Sequence, residues 1–212
     1  MPSYGAVDPE YASRLATCPP DEDGPVLMVN FMKYRERADY GGGRDEGLTG
    51  READERYAPL DVLAAIGAEV VFLGDVEPGG RWDRVGIVRY PGRRAFIAMQ
   101  SRPDFQERHV HKAAGMAHTI VCGALPEAPP PAGTGGRVVF ELVAPGTALR
   151  RADAGRLRVE GTILGDGRRF ATLGVTWVGE GEPAPEPSPE RVVAVVRPTI
   201  DLLAAEMRRV PA

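Results

Sequence analysis

Only three side chains in this sequence titrate near neutrality, and they are the first candidates for proton chemistry: His109, His111 and His118. On a helix, the His109-x-His111 pair would point its rings about 200° apart, a poor geometry for sharing a metal, although on a strand the two would share a face. His111 and His118 share a helical face only if the helix runs that far. The expected reading places His109 and His111 at the surface or a helix end. His118 falls where helix gives way to strand, a better position for reaching a cavity, and is the candidate general acid or base.

Three further polar residues stand in or beside apolar strands. Asn30 is the one strongly polar side chain in VLMVNFMKY, so its amide is either paired structurally or aimed at a ligand. Arg89 and Asp75 sit near the ends of neighbouring strands. They read either as an ion pair tying those ends together or as an Arg presented to a carboxylate, enol or phenolate. Tyr34, Trp82 and Trp177 are candidates for stacking a planar substrate at a cavity mouth, with core packing the alternative.

The chain holds no HExxH, no His/Cys cluster, no nucleophile elbow and no dinucleotide fingerprint, so no metal and no cofactor are expected. Gly41-Gly42-Gly43 lacks the Walker spacing and reads as a flexible loop. Cys18 and Cys122 are far apart, which argues against a disulfide scaffold and for a reducing cytoplasm, with Cys122 a small buried hydrophobe. With 26 Lys and Arg against 30 Asp and Glu, the net charge of −4 offers no broad attraction to nucleic acid. No run is long and apolar enough to span a membrane, and the N-terminus lacks the pattern of a signal peptide.

The elements that must position these residues follow a recognisable order. Pro25 opens a strand through Tyr34. Residues 51–66 have helical spacing, bent or divided at Pro59, and Gly67 ends that segment. Two strands, 69–73 and 84–90, flank a Gly-rich turn; helices begin at Pro91 and Pro103, and a strand over 118–124 closes the unit. This is the β-α-β-β-α-β split unit. Residues 125–136 read as a Pro/Gly linker. Strands are expected over 137–143, 157–164, 170–178 and 191–196, with a tight Gly165-Asp166-Gly167 hairpin between the middle pair, a mobile Pro/Glu-rich loop over 179–189 and a final helix from Thr199 to Arg209.

VVFLGDVEPGG…RVGIVRYP and GVTWVGEGEPAP…RVVAVVRP share an order of events, which suggests a degenerate second copy lacking a first helix and a closing strand. The expected domains are therefore 25–125 and 136–212. Neither parity of VLMVNF is consistently polar, so both faces of the first sheet should be covered, one by helices and the other by a second sheet. The fold class is α+β: a ferredoxin-like half and a degenerate ferredoxin-like half forming an α/β barrel. The missing strand and helix lean the reading toward a homodimer.

The segments VLMVNFMKYRE, GAEVVFLGDV and WDRVGIVRYPGRRAFIAMQSRPDFQERHVHKAAGMAHTIV together resemble the dimeric α/β-barrel superfamily, and within it the family named domain of unknown function 1330. The resemblance spans about residues 25–125. It implies ferredoxin-like halves paired about a cavity, and it brings no catalytic motif to transfer. It also implies the substrate class: an apolar or aromatic, polyketide-like small molecule, with isomerisation, cyclisation or cofactor-free oxygenation as candidate reactions. In that scheme His118 moves a proton, Arg89 and Asn30 hold negative charge, and Tyr34, Asp75, Trp82 and Trp177 contact substrate. A non-catalytic ligand-binding or interaction protein of the same fold is the alternative.

Overall fold

A computed structural model describes residues 4–131 and 135–209. A two-residue strand, β1 (Ala6–Val7), precedes helix α1 (Pro9–Ala16), which starts where Asp8 accepts hydrogen bonds from the backbone N–H groups of Glu10 and Tyr11. Then come β2 (Val26–Tyr34), α2 (Gly50–Tyr57), α3 (Leu60–Ala65), β3 (Glu69–Val76), β4 (Arg84–Tyr90), α4 (Arg93–Gln100), α5 (Pro103–Gly115) and β5 (Met116–Ala128). The prolines place the breaks. Pro59 separates α2 from α3, and Pro103 opens α5 at a position whose N–H needs no partner. A Thr49–Glu52 capping box starts α2. The C-terminal part contributes β6 (Arg137–Val143), β7 (Gly155–Gly165), β8 (Thr172–Val178), β9 (Arg191–Asp201) and α6 (Leu203–Arg208).

All strand pairs are antiparallel, and they run β7-β5-β2-β4-β3-β9-β6-β8, with β8 pairing back onto β7 to close an eight-stranded ring. β1 adds to β7 through Ala6–Gly165 and Val7–Leu164. Within β5-β2-β4-β3 the order is fourth, first, third, second strand of the unit, and β9-β6-β8-β7 repeats it. The second half thus has its closing strand, β9, and what it lacks is helices between its strands: residues 144–154 and 179–190 make those connections instead. The expected alignment slid by one strand because short β-branched runs between Gly and Pro resemble one another. Pro91 precedes a helix, whereas Pro198 lies within β9, where the register against β3 shifts. Since β9 runs on to Asp201, the final helix is shorter than expected. With every strand of the ring supplied by this chain, the missing strand that argued for a partner is not missing.

Two boundaries also differ. β5 continues to Ala128, paired with Arg156 of β7, so the first four residues of the expected linker are strand; Ala132–Thr134 lie outside the described residues. The β7–β8 connection is not a tight hairpin. Its innermost strand pair is Arg158–Thr172, and beyond it β7 continues along β5 as far as Leu164.

Both faces of the first sheet are covered, as the apolar parities require. Leu27, Val29 and Phe31 point into the lumen, which is filled by side chains from both halves. Phe140 sits edge-on to Phe31 (centroids 6.4 Å) and to Phe72 (4.9 Å). Leu203 and Met207 of α6 join this core, and Trp82 packs edge-on to Phe31. Met28 and the helix-side residues form a second core beneath the helices. There, Tyr11 of α1 lies over Gly161 and Gly123, which face each other across β5 and β7. A Cβ on Gly161 would stand 2.5 Å from Cγ of the Tyr11 ring. Gly161→Ala should therefore cost about 1–3 kcal/mol in urea unfolding, and far less on a Tyr11→Ala background, since the two changes share one contact.

Candidate functional site

Because Pro103 fixes where α5 begins, Phe105, His109 and Lys112 fall at i, i+4 and i+7 and share the face turned to the sheet. The His109 ring stacks on Phe105 (centroids 5.5 Å, 30°) and meets the Tyr57 ring edge-on at 6.2 Å. Its Nε2 lies 3.0 Å from the Tyr4 hydroxyl. Tyr4 is anchored in turn by its own carbonyl, which accepts from Thr119 N–H at 3.0 Å. Burial, and then the neighbouring Lys112 charge, hold the His109 pKa below its ordinary value. Burial pushes the Tyr4 phenol up to about 12. At neutral pH both members of the pair are uncharged. Nδ1 of His109 has no hydrogen-bond partner among the described residues.

A second polar group lies one helical turn away. Asp54 of α2 is buried and accepts from the Tyr34 hydroxyl at 2.7 Å; Arg84 stands 3.9 Å from the same carboxylate. Lys112 approaches the other Asp54 oxygen at 3.5 Å, with its ammonium 4.8 Å from the Tyr57 ring centre and 3.5 Å from Met32 Sδ. Arg84 is committed to Asp75, which its Nε reaches at 2.9 Å while Arg51 binds the other oxygen at 2.6 Å.

These groups border a cavity of about 700 Å³ between the helices and the outer wall of the barrel. The cavity is internal to the domain, yet it is separate from the packed lumen. Period-two alternation decides its lining: Met28, Asn30 and Met32 from β2 face it, opposite Arg84, Gly86 and Val88 from β4. Gly86 pairs with Asn30, so the polar amide faces a position without a side chain. Along β2 the lining passes from apolar, with Tyr90, Phe96 and Met99, to polar, with Asp54, Arg84 and Lys112. It reaches the surface at Val7 and Leu60, which are 63% and 61% exposed.

Of the residues singled out from sequence, Asn30 lines this cavity. Its Nδ2 has one long bond, 3.3 Å to the Met28 carbonyl. Tyr34 and Asp75 stand behind the lining and hold Asp54 and Arg84. His118 is exposed on β5, opposite Lys33: α5 ends at Gly115, so the chain is already strand at 118 and has left the helix face that looks onto the cavity. Arg89 shares the inward parity of Val85 and Ile87, and at the end of the lumen its Nε lies 2.7 Å from Glu206 of α6. The expected Arg89–Asp75 tie is thus replaced by two separate pairs, because β3–β4 register sets Asp75 opposite Arg84. Trp82 is core, and Trp177 donates its Nε1–H to Asp201 at 2.6 Å.

Sequence reasoning set His109 at the surface or a helix end and did not single out Tyr4, Lys112 or Asp54. A signal for two of them was present, since Phe105-x3-His109-x2-Lys112 is helical spacing beginning on an aromatic. Weighing His109 only against His111 hid it. Among the described residues no group of three or more His, Cys, Asp or Glu could hold a metal ion, and no helix is long and apolar enough to cross a membrane.

No protein-family model matches the chain, and no curated protein matches it. Among solved structures it is similar to methylated RPA0582, with 28% identity and a TM-score of 0.51 over 62% of this chain and 99% of that one. A second structure of RPA0582, a protein of unknown function from Rhodopseudomonas palustris, gives 26% identity and 0.52 over 60% and 100%. A putative monooxygenase from Lactobacillus acidophilus aligns at 10% identity and 0.44 over 83% and 94%, a likeness too loose to speak to the reaction. The chain is thus a closed eight-stranded barrel with a family resemblance to RPA0582-type proteins, in keeping with the resemblance drawn from residues 25–125.

Proposed function

We propose that the helix-side cavity is the working site of a small enzyme that moves a proton on an apolar or aromatic carbonyl compound without a metal, as an isomerase or cyclase. The observation that carries this reading is the half-buried His109, packed against Phe105 and Tyr57 at the wall of a mostly apolar cavity that lowers its pKa, with Nδ1 free of partners among the described residues. In this scheme Nδ1 takes a proton from the carbon beside the substrate carbonyl. The C–H electron pair becomes the carbon–carbon π bond, the carbonyl π pair moves to the oxygen, and the Asn30 amide N–H donates to the enolate oxygen so formed. Return of the proton to a second carbon completes an isomerisation. Tyr4 fixes the ring through Nε2. In the expectation from sequence this proton transfer belonged to His118, and Arg89 shared the charge; the proposal gives both tasks to side chains that line the cavity.

The test is deuterium uptake. In D₂O, the protein should accelerate α-proton exchange of an apolar enolisable ketone such as 2-tetralone, followed by NMR. Displacement of an apolar dye by the ketone without accelerated exchange would favour the alternative, a non-catalytic binding protein using the same cavity. Neither displacement nor exchange would reject both.

A further inference from the structure

Lys112 is the least satisfied charge in the cavity wall. Its side chain is 11% exposed, which removes most of the water that would solvate an ammonium. Three N–H donors need acceptors there. Among the described residues they have a thioether sulfur at 3.5 Å, the Tyr57 ring face, and Asp54 Oδ1 at 3.5 Å. The last is well beyond the ~2.7–2.9 Å of a charge-assisted hydrogen bond. Asp54 is held elsewhere, since Tyr34 takes its other oxygen at 2.7 Å. The remaining charges around this end are also committed: Arg84 and Arg51 to Asp75, and Glu55 to Arg51 at 3.3 Å. Beyond Asn30 the far side of the cavity is mainly apolar, with Val88, Phe96 and Met99, and its polar groups there, the Tyr90 phenol and the Gln100 amide, carry no charge.

We infer that the ligand is an organic monoanion with one carboxylate and an apolar body, its carboxylate seated on Lys112 and its body lying along Val88 toward Phe96 and Met99. Such a ligand gives the ammonium the short oxygen contact that Asp54 does not, and it matches the polarity gradient along β2. This assignment rests on the cavity being the binding site, as proposed above, and adds the chemical class of what it takes. It leaves Asn30 and His109 free for the reacting carbonyl.

Calorimetric titration with decanoate and decanol, which share a tail and differ in the head, tests it. A charge-assisted contact in a partly desolvated site should favour decanoate by about ten- to hundredfold. Lys112→Met should erase that preference while leaving decanol binding within about twofold; Lys112→Gln serves as the second neutral variant if the methionine form does not fold. Equal affinity of the wild-type protein for the two ligands overturns the inference while leaving the cavity as an apolar binding site. A decanoate preference that persists without the Lys112 charge overturns it as well, by placing the head elsewhere. Binding of neither ligand overturns both this inference and the reading of the cavity beneath it.

Discussion

His109→Phe should reduce the catalysed exchange by about a hundred- to ten-thousandfold, the span expected for loss of a positioned general base. The phenyl ring retains the contacts with Phe105 and Tyr57, so binding of the ketone should change little. The pH profile supplies a second readout. Burial and Lys112 lower the His109 pKa, so the neutral, proton-accepting form persists below the ordinary histidine value of about 6.5. The acid limb of the rate should therefore fall below pH ~6.5, and Lys112→Met should move it upward by removing a nearby positive charge. Stability follows with the same sign. The native state disfavours the imidazolium, so the stability attached to His109 is fully present above pH ~6.5 and is lost as pH falls toward its native pKa. His109→Phe should flatten that part of the stability curve. A variant with unchanged exchange and an unchanged acid limb would remove His109 from the mechanism.

Glu141→Leu should be the most destabilising single change in the C-terminal half, at about 3–5 kcal/mol in urea unfolding. Glu141 and Arg191 form an ion pair at 2.6 Å with side chains 3% and 7% exposed, on the outer wall of β6 and β9. The carboxylate also accepts the Arg150 backbone N–H through both oxygens, at 2.9 and 3.0 Å, and Arg191 donates to the Ala148 carbonyl at 2.8 Å. The pair therefore ties the 144–154 connection down where the first half has helices. Removing the carboxylate leaves a buried guanidinium without its counter-charge. The double variant Glu141→Leu/Arg191→Met removes both charges and should recover most of the loss. A double variant no more stable than the single one would mean that the loop, rather than the charge, sets the cost.

The first half could be read because its signals are local. Pro59, Gly67 and Pro103 punctuate helices by their own backbone chemistry, and the doubly apolar parity of β2 correctly demanded cover on both faces. Strand identity in the second half was not legible. β8 and β9 differ from β3 and β4 in position around the ring rather than in composition, and only pairing across the seams tells them apart. The site was partly legible for the same reason. Asn30 stands out against apolar neighbours, whereas the weight of His109 depends on Tyr4, which arrives through the pairing of β1 with β7, residues far away in sequence. Arg89 and His118 looked functional from strand ends alone, and parity and the end of α5 send them away from the cavity.

Closing the ring within a single polypeptide has an effect on stoichiometry. A barrel assembled from two identical halves would carry a helix-backed chamber on each, and occupancy of one could be felt by the other across the shared wall. Here, among the described residues, only the first half wears helices over its wall and has such a chamber, so saturation by a ligand should follow a simple hyperbola at one equivalent per chain.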